Sequence, residues 1–257
     1  MDERSVKTLQ RIQENDPKLT ELNIGRGGEV YILPTVSDLS KLGAAISENT
    51  NITKLAFGID ETAKDDTNVM FINGLKQNSS IKELHLRGYD SIGRVGHEVL
   101  KVYQDNNHLT TLRIEAQFSN RGQQVIVNTI KKCTNLKVLD LSQSVITDKQ
   151  LLSIVGALKG NHVIEELNLS HLSIYQIGPC RELATLLEDP DCNIHTLNLE
   201  YNHIDKEWLI AIANGLTNNV KLRQLSVDRK SVDQDVEAAF SRLSFYSSII
   251  NNRIYFS

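Results

Sequence analysis

The sequence predicts an α/β solenoid in which short parallel strands alternate with outer helices. Three observations predict it: an apolar phrase that recurs eight times, a nearly constant interval between its copies, and a second apolar stripe at helical spacing between them. The phrase has the pattern Leu-x-x-Leu-x-Leu. It is carried by Leu19-Leu22-Ile24, Ile52-Leu55-Phe57, Ile81-Leu84-Leu86, Leu109-Leu112-Ile114, Leu136-Leu139-Leu141, Ile164-Leu167-Leu169, Ile194-Leu197-Leu199 and Leu222-Leu225-Val227. Their first positions lie 33, 29, 28, 27, 28, 30 and 28 residues apart. A fixed period of this size marks stacked units, each of which buries its apolar face only against its neighbours.

The elements follow in chain order. Val6 to Glu14 reads as an amino-terminal helix with Ser5 as its N-cap, because a hydroxyl can accept from a free N–H of the first turn. Asn15-Asp16-Pro17 ends it. Within each phrase, alternation puts the two later apolar side chains on one face of a short strand and their neighbours on the other. Six residues before successive phrases stand Ile46, Leu75, Tyr103, Ile130, Leu158 and Leu216, and ten before stand Leu42, Phe71, Val99, Ile126, Ile154 and Ile212. Positions four apart share a helix face, so each unit carries an amphipathic helix. Three before stand Asn49, Asn78, Asn106, Asn161 and Asn219. Asn tolerates the left-handed conformation, so these read as helix stops. Asp233 to Leu243 reads as the last helix. Ile254 and Phe256 fall 29 residues after Leu225 and Val227, which predicts a degenerate ninth strand closing the sheet edge; the alternative is a loose terminus.

The whole chain therefore reads as one domain, 1–257. A capping helix spans 1–18, repeats span 19–232, and a carboxy-terminal helix and cap span 233–257. Helices of 10 to 12 residues are bulkier than strands, so the solenoid is expected to curve into a horseshoe with a concave parallel sheet and convex helices.

The phrase and its 27–33-residue period resemble the leucine-rich repeats of the ribonuclease-inhibitor-like superfamily. Cys180 to Ile204 resembles units of ribonuclease inhibitor and the NOD-like receptors. Leu9 to Leu22, with Pro34-Thr35 and the helix Leu39 to Ile46, is similar to the start of the repeat domain in tropomodulin and leiomodin. The likeness implies an interaction protein and, over the first two units, actin or cytoskeletal binding. Ran-type GTPase-activating proteins share the 28-residue repeat, which implies a regulator as a further possibility. The chain departs from the pattern three residues after the phrase, where an Asn usually ladders between repeats. Only Asn202 keeps it; Gly27, Asp60, Tyr89, Gln117, Ser144, Leu172 and Lys230 replace it.

Composition narrows the function. The net charge of −4 shows no basic stripe of the kind nucleic-acid binders carry, so no nucleic-acid partner is expected. No apolar run approaches the ~20 residues that span a bilayer, and the charged amino terminus lacks a signal-peptide core. No membrane partner is expected, and Asn51, Asn78 and Asn168 in glycosylation sequons are expected to stay unmodified. Three cysteines, Cys133, Cys180 and Cys192, fit free thiols in a reducing cytoplasm. Gly25-Arg26-Gly27-Gly28 lacks the spacing of a phosphate-binding loop and reads as a plain turn. The seven histidines show no metal-ligand spacing and read as surface residues. The cysteines before strands read as small apolar fillers, and Trp208 as helix packing. No nucleophile–base constellation is visible, so a non-enzymatic monomer without metal or cofactor is expected.

What remains is the outward face of the strands. On the first four it offers Glu83, Arg87, Arg113 and Glu115 among its charged positions. On the last four it offers Asp140, Glu166, Asn168, Asn198, Glu200 and Asp228, with no Lys or Arg. Like charges on strands ~4.8 Å apart repel unless water or a cation screens them. That face is therefore expected to receive a basic protein partner through a polar, salt-sensitive contact. A solvated acidic face without a partner is the alternative.

Overall fold

The computed structural model describes residues 2–25, 31–32, 38–58, 65–88, 93–174, 177–228, 232–243 and 254–256. Contacts divide the chain into two compact units, Met1–Leu136 and Lys137–Ser257. In the first, α1 (Glu3–Gln13) precedes β1 (Glu21–Ile24) and β2 (Tyr31–Ile32). There follow α2 (Leu39–Glu48), β3 (Lys54–Phe57), α3 (Asp65–Gln77), β4 (Glu83–Gly88), α4 (Gly93–Asn106), β5 (Thr111–Ala116) and α5 (Asn120–Lys132). Its strands are parallel in the order β2-β1-β3-β4-β5. The second unit runs β6 (Val138–Asp140), α6 (Asp148–Leu158), β7 (Glu166–Asn168), α7 (Ile177–Glu188), β8 (Thr196–Asn198), α8 (Lys206–Gly215), β9 (Gln224–Val227), α9 (Gln234–Ser241) and β10 (Ile254–Phe256). Its strands are parallel in sequence order. Strand and helix alternate in both units, so the fold is a leucine-rich-repeat stack of β–α units.

The apolar phrases set the register. Leu22, Leu55, Leu84 and Leu112 stand opposite one another in the first unit. Leu139, Leu167, Leu197 and Leu225 do so in the second. The helix stripe meets them from the other side. Ile46, Leu75, Tyr103, Ile130, Leu158 and Leu216, and the row four residues earlier, are all 2% exposed or less. Interiors this closely packed make a Leu-to-Ala change cost about 2–5 kcal/mol.

Backbone approaches backbone between α2 and α3. A Cβ on Gly74 would lie 2.0 Å from the Gly43 carbonyl oxygen, and one on Gly43 would lie 2.5 Å from that of Met70. Only hydrogen fits in either gap.

The first helix starts earlier than its sequence suggests. Asp2, not Ser5, is the N-cap: its Oδ1 accepts from the Ser5 N–H at 2.7 Å. Ser5 lies fully buried one turn into the helix. That hydrogen bond to the carboxylate lowers the pKa of Asp2, which marks the charged oxygen as the cap.

Asn49 and Asn78 directly follow their helices and Asn106 ends α4, as expected, whereas Asn161 and Asn219 stand beyond the Lys159 and Leu216 C-caps. Asn49 is extended, with φ −77° and ψ 131°. Its Nδ2 donates to the Ile12 carbonyl at 3.1 Å, while its Oδ1 accepts from Asn51 and Ile52 at 3.0 and 2.8 Å. Asn78 donates to Ile46 and Asn49 carbonyls, both at 2.8 Å, and accepts from Ser80 and Ile81. Asn219 repeats the pattern with Leu187 as the carbonyl and Lys221 and Leu222 as the donors. Each amide thus closes its own turn and satisfies an orphan carbonyl at the end of the preceding helix. The asparagines that are left-handed are instead Asn15 and Asn107, both at φ 51°. Each pairs through its amide with the Thr of the next repeat: Asn15 with Thr50, Asn107 with Thr134.

Two strands lack a full phrase. β2 pairs with β1 on the side away from β3, with Asn23 opposite Tyr31, and has no counterpart in the expected ladder. β10 pairs with β9 in the register that the 29-residue spacing gives, Ile254 opposite Leu225 and Phe256 opposite Val227. Arg26 to Gly28, Pro34-Thr35, Asp60, Tyr89, Lys230 and the tail from Ser244 to Arg253 lie outside the described residues.

Candidate interaction faces of the two units

In the first unit, register places the outward side chains on a grid. Glu21, Lys54, Glu83 and Thr111 form one row, and Asn23, Ala56, His85 and Arg113 the next. Arg87 stands opposite Glu115 in the third, whose earlier strand position is Gly58. The charges here largely answer one another. Lys54 Nζ is 2.9 Å from Glu83, and His85 Nε2 is 3.5 Å from Glu115, a pair that is oppositely charged only when His85 is protonated. Arg87 extends across the small residues of β3, and its Nη2 donates to Asn23 Oδ1 at 3.1 Å, sixty-four residues away in sequence. Among the expected site residues, Glu83, Arg87, Arg113 and Glu115 are half-buried in this grid. Burial depresses the His85 pKa, and Arg113 and Arg87 depress it further against the pull of Glu115.

In the second unit, the rows are Val138, Glu166, Thr196, Gln224 and then Asp140, Asn168, Asn198, Ser226. The acids therefore do not form one column. Glu166 is exposed, and Asp140 and Glu200 are half-buried. Asp140, Asn168 and Asn198 each use Oδ1 to accept the N–H two residues ahead, that of Ser142, Ser170 and Glu200. They shape the strand ends as well as facing outward. Asp228 departs from its expected exposure: it is only 7% exposed, and its Oδ1 accepts the Tyr201 N–H at 3.0 Å. Strand alternation gives the direction of its Cβ but not the turn of the neighbouring repeat that folds onto it.

Beyond the strand ends, Gln143, His171 and Tyr201 occupy equivalent positions of three repeats. All are left-handed, at φ 61°, 55° and 57°. The His171 and Tyr201 rings stack, with centroids 4.2 Å apart and planes 13° from parallel. Strand alternation does not single out this pair, because it lies just past the strand. Aligning the second residue after each phrase is the signal that finds it.

The remaining candidates are structural. Cys133, Cys180 and Cys192 are buried free thiols. Burial raises the pKa of all three, that of Cys133 to about 11 and that of Cys180 to about 12. At neutral pH they are therefore protonated rather than nucleophilic. Trp208 is 1% exposed. His97 is buried in α4, against the expectation of a surface position. Asn202, the one retained ladder Asn, is 1% exposed and donates to the Leu169 and Leu199 carbonyls while accepting from Leu172. Among the described residues no group of three or more His, Cys, Asp or Glu could hold a metal ion, and no helix is long and apolar enough to cross a membrane.

Comparison with known proteins agrees with the repeat pattern. Residues 132–154 match the leucine-rich-repeat family model. Leiomodin-2 of Mus musculus is 30% identical over 132 residues, covering 50% of this chain and 23% of leiomodin-2. The match therefore spans less than a quarter of that relative. The NACHT, LRR and PYD domains-containing protein 9B of Mus musculus is 28% identical over 131 residues, covering 50% of this chain and 13% of that protein. Among solved structures, leiomodin-1 actin-binding site 2 aligns at 21% identity and TM-score 0.36, covering 70% of this chain and 85% of that one. That score is too low to weigh on the fold, which rests on the strands and helices themselves. Phrase, register and family match together define the repeats as leucine-rich repeats, in a chain similar over half its length to leiomodin-2.

Proposed function

We propose that this chain is a non-enzymatic protein-interaction module, working as a cytoplasmic monomer, that receives a basic protein partner on the sheet face of its second unit. One observation carries the reading: the outward positions Val138, Asp140, Ser142, Glu166, Asn168, Ser170, Thr196, Asn198, Glu200, Gln224 and Ser226 include the accessible acids Asp140, Glu166 and Glu200 and no Lys or Arg. The strands of the first unit, by contrast, answer their own charges through pairs such as Lys54–Glu83. Asn168 and Asn198 are the polar neighbours of Asp140 in the binding row. Polar groups fixed on rigid strands favour steering and specificity over apolar burial.

The test is affinity capture with the purified chain at ~50 and ~300 mM salt, a range over which exposed charges become screened. The comparison is a variant with Asp140→Asn, Glu166→Gln and Glu200→Gln. Asp228 is left alone because it holds the Tyr201 turn. A partner lost from the variant and weakened by salt is the expected result. Partners retained by both chains at both salt concentrations would sink the proposal.

A second reading, binding to actin, draws on the similarity to leiomodin-2 and on the naming of the leiomodin-1 fragment as an actin-binding site. Co-sedimentation with actin filaments decides it, since a chain that stays in the supernatant does not bind them.

A further inference from the structure

We propose that the stacked His171–Tyr201 pair is the anchor of that surface and takes an arginine side chain of the partner. The inference rests on the acidic-face reading above and assigns the group that the face selects. Neither ring is needed by the turn it occupies. What the turns use is backbone: the Gln143 N–H donates to the Ser170 carbonyl, that of His171 to the Glu200 carbonyl, and that of Tyr201 to Asp228 Oδ1. A left-handed backbone costs a non-glycine residue energy, and Asn or Gly would occupy it more cheaply. Yet two successive repeats carry aromatic rings there, and both rings are exposed, Tyr201 by 56%. The rings stack on each other and yet stay exposed, so they can meet a partner's side chain without rearrangement.

The surroundings fit a guanidinium. Glu200 immediately precedes Tyr201, and its carbonyl receives the His171 N–H, so one acidic residue sits beside both ring-bearing turns. Glu166 and Asp140 extend the same charge along the sheet. A guanidinium is planar: it lies flat on an aromatic face while its edge donates a two-pronged hydrogen bond to a carboxylate. An ammonium can use the charge but not the plane. Tyrosine and arginine are also the residues on which interface energy most often concentrates. The surface should therefore prefer arginine to lysine at equal charge.

Two labelled peptides of alternating glycine with arginine or with lysine, equal in length and charge, test this by fluorescence anisotropy on the full chain. His171→Asn with Tyr201→Asn removes both rings but keeps the backbone donors and a residue that accepts the left-handed conformation. The native chain is expected to bind the arginine peptide more tightly. The double variant should lose roughly fivefold to tenfold of that affinity and bind both peptides alike, whereas Tyr201→Phe should keep the preference. A native chain that binds both peptides equally, or a folded double variant that still prefers arginine, overturns the anchor while leaving the acidic face in place. Binding of neither peptide, or binding unaffected by Glu166→Gln with Glu200→Gln, overturns both. Should the double variant fail to fold, NMR on the native chain decides: Tyr201 ring resonances must move with the arginine peptide and not with the lysine peptide.

Discussion

His85 is placed among opposing influences. Burial and the two guanidiniums of Arg113 and Arg87 resist its protonation, while Glu115 at 3.5 Å favours it, and the resistance wins. Its folded pKa therefore lies below the ordinary 6.5. Between the two values the unfolded chain binds a proton that the folded chain does not, so stability rises with pH there. The destabilisation begins as pH falls below 6.5 and is complete below the folded value. Melting curves between pH 7.5 and 5.5 should show the native chain losing Tm more steeply than His85→Gln; parallel curves would refute the role given to burial and the arginines. At this scale the sequence was legible where periodicity speaks, as in the buried leucine columns and Asn202. It was not legible for Asp228 and His97, whose burial depends on a neighbouring repeat that no local pattern describes.

At the scale of elements, helix position was readable but its cause was not. Asn49 and Asn78 directly follow their helices as expected, and Asn219 stands three residues past the Leu216 C-cap of α8, yet none of them takes the left-handed conformation that suggested the role. Their amides bond across repeats, and such a partner some 30 residues away is invisible to a rule about one residue. Strand β2 was missed because two residues, Tyr31 and Ile32, carry no phrase. The helices also separate glycines that look alike in sequence. Gly74 faces the Gly43 carbonyl oxygen 2.0 Å from where a Cβ would sit, whereas nothing lies within 4 Å of the same point on Gly156 in α6. Gly74→Ala should destabilise the chain by about 1–3 kcal/mol through overpacking. Gly156→Ala should stabilise it by about 0.4–1 kcal/mol, since helix propensity then acts unopposed. Urea denaturation of the two variants checks the contrast; equal shifts of the same sign would contradict the close approach of α2 and α3.

For the molecule as a whole, eight phrases at a nearly constant interval make the repeat architecture plain from sequence alone. The function was less plain, because repeat stacks host many partners and the proposed contact groups lie on strands and turns whose spacing resembles that of structural ones. The carboxy-terminal strand offers a test on this scale. β10 occupies the free edge of β9 in exact continuation of the leucine register. Deleting residues 244–257 should lower Tm by at least ~3 °C, equivalent to about 1 kcal/mol in a chain of this size. It should also promote concentration-dependent self-association, because an uncovered parallel edge is a template for another strand. Calorimetry and size-exclusion chromatography read the two effects, and an unchanged Tm with a monomeric profile would show that β10 adds nothing.

The Asn amides that join one helix end to the next have a consequence for how such a chain can change length. Each amide needs a carbonyl a full repeat behind it, as Asn78 needs Ile46 and Asn219 needs Leu187. Inserting or removing one whole repeat presents the same carbonyl to the same amide, so the bond re-forms across the new junction. Inserting half a repeat strands both groups in the interior. The molecule therefore has a quantum of growth: duplication and loss by whole units are nearly silent to its packing, while any fractional change meets a buried penalty at the first seam it crosses.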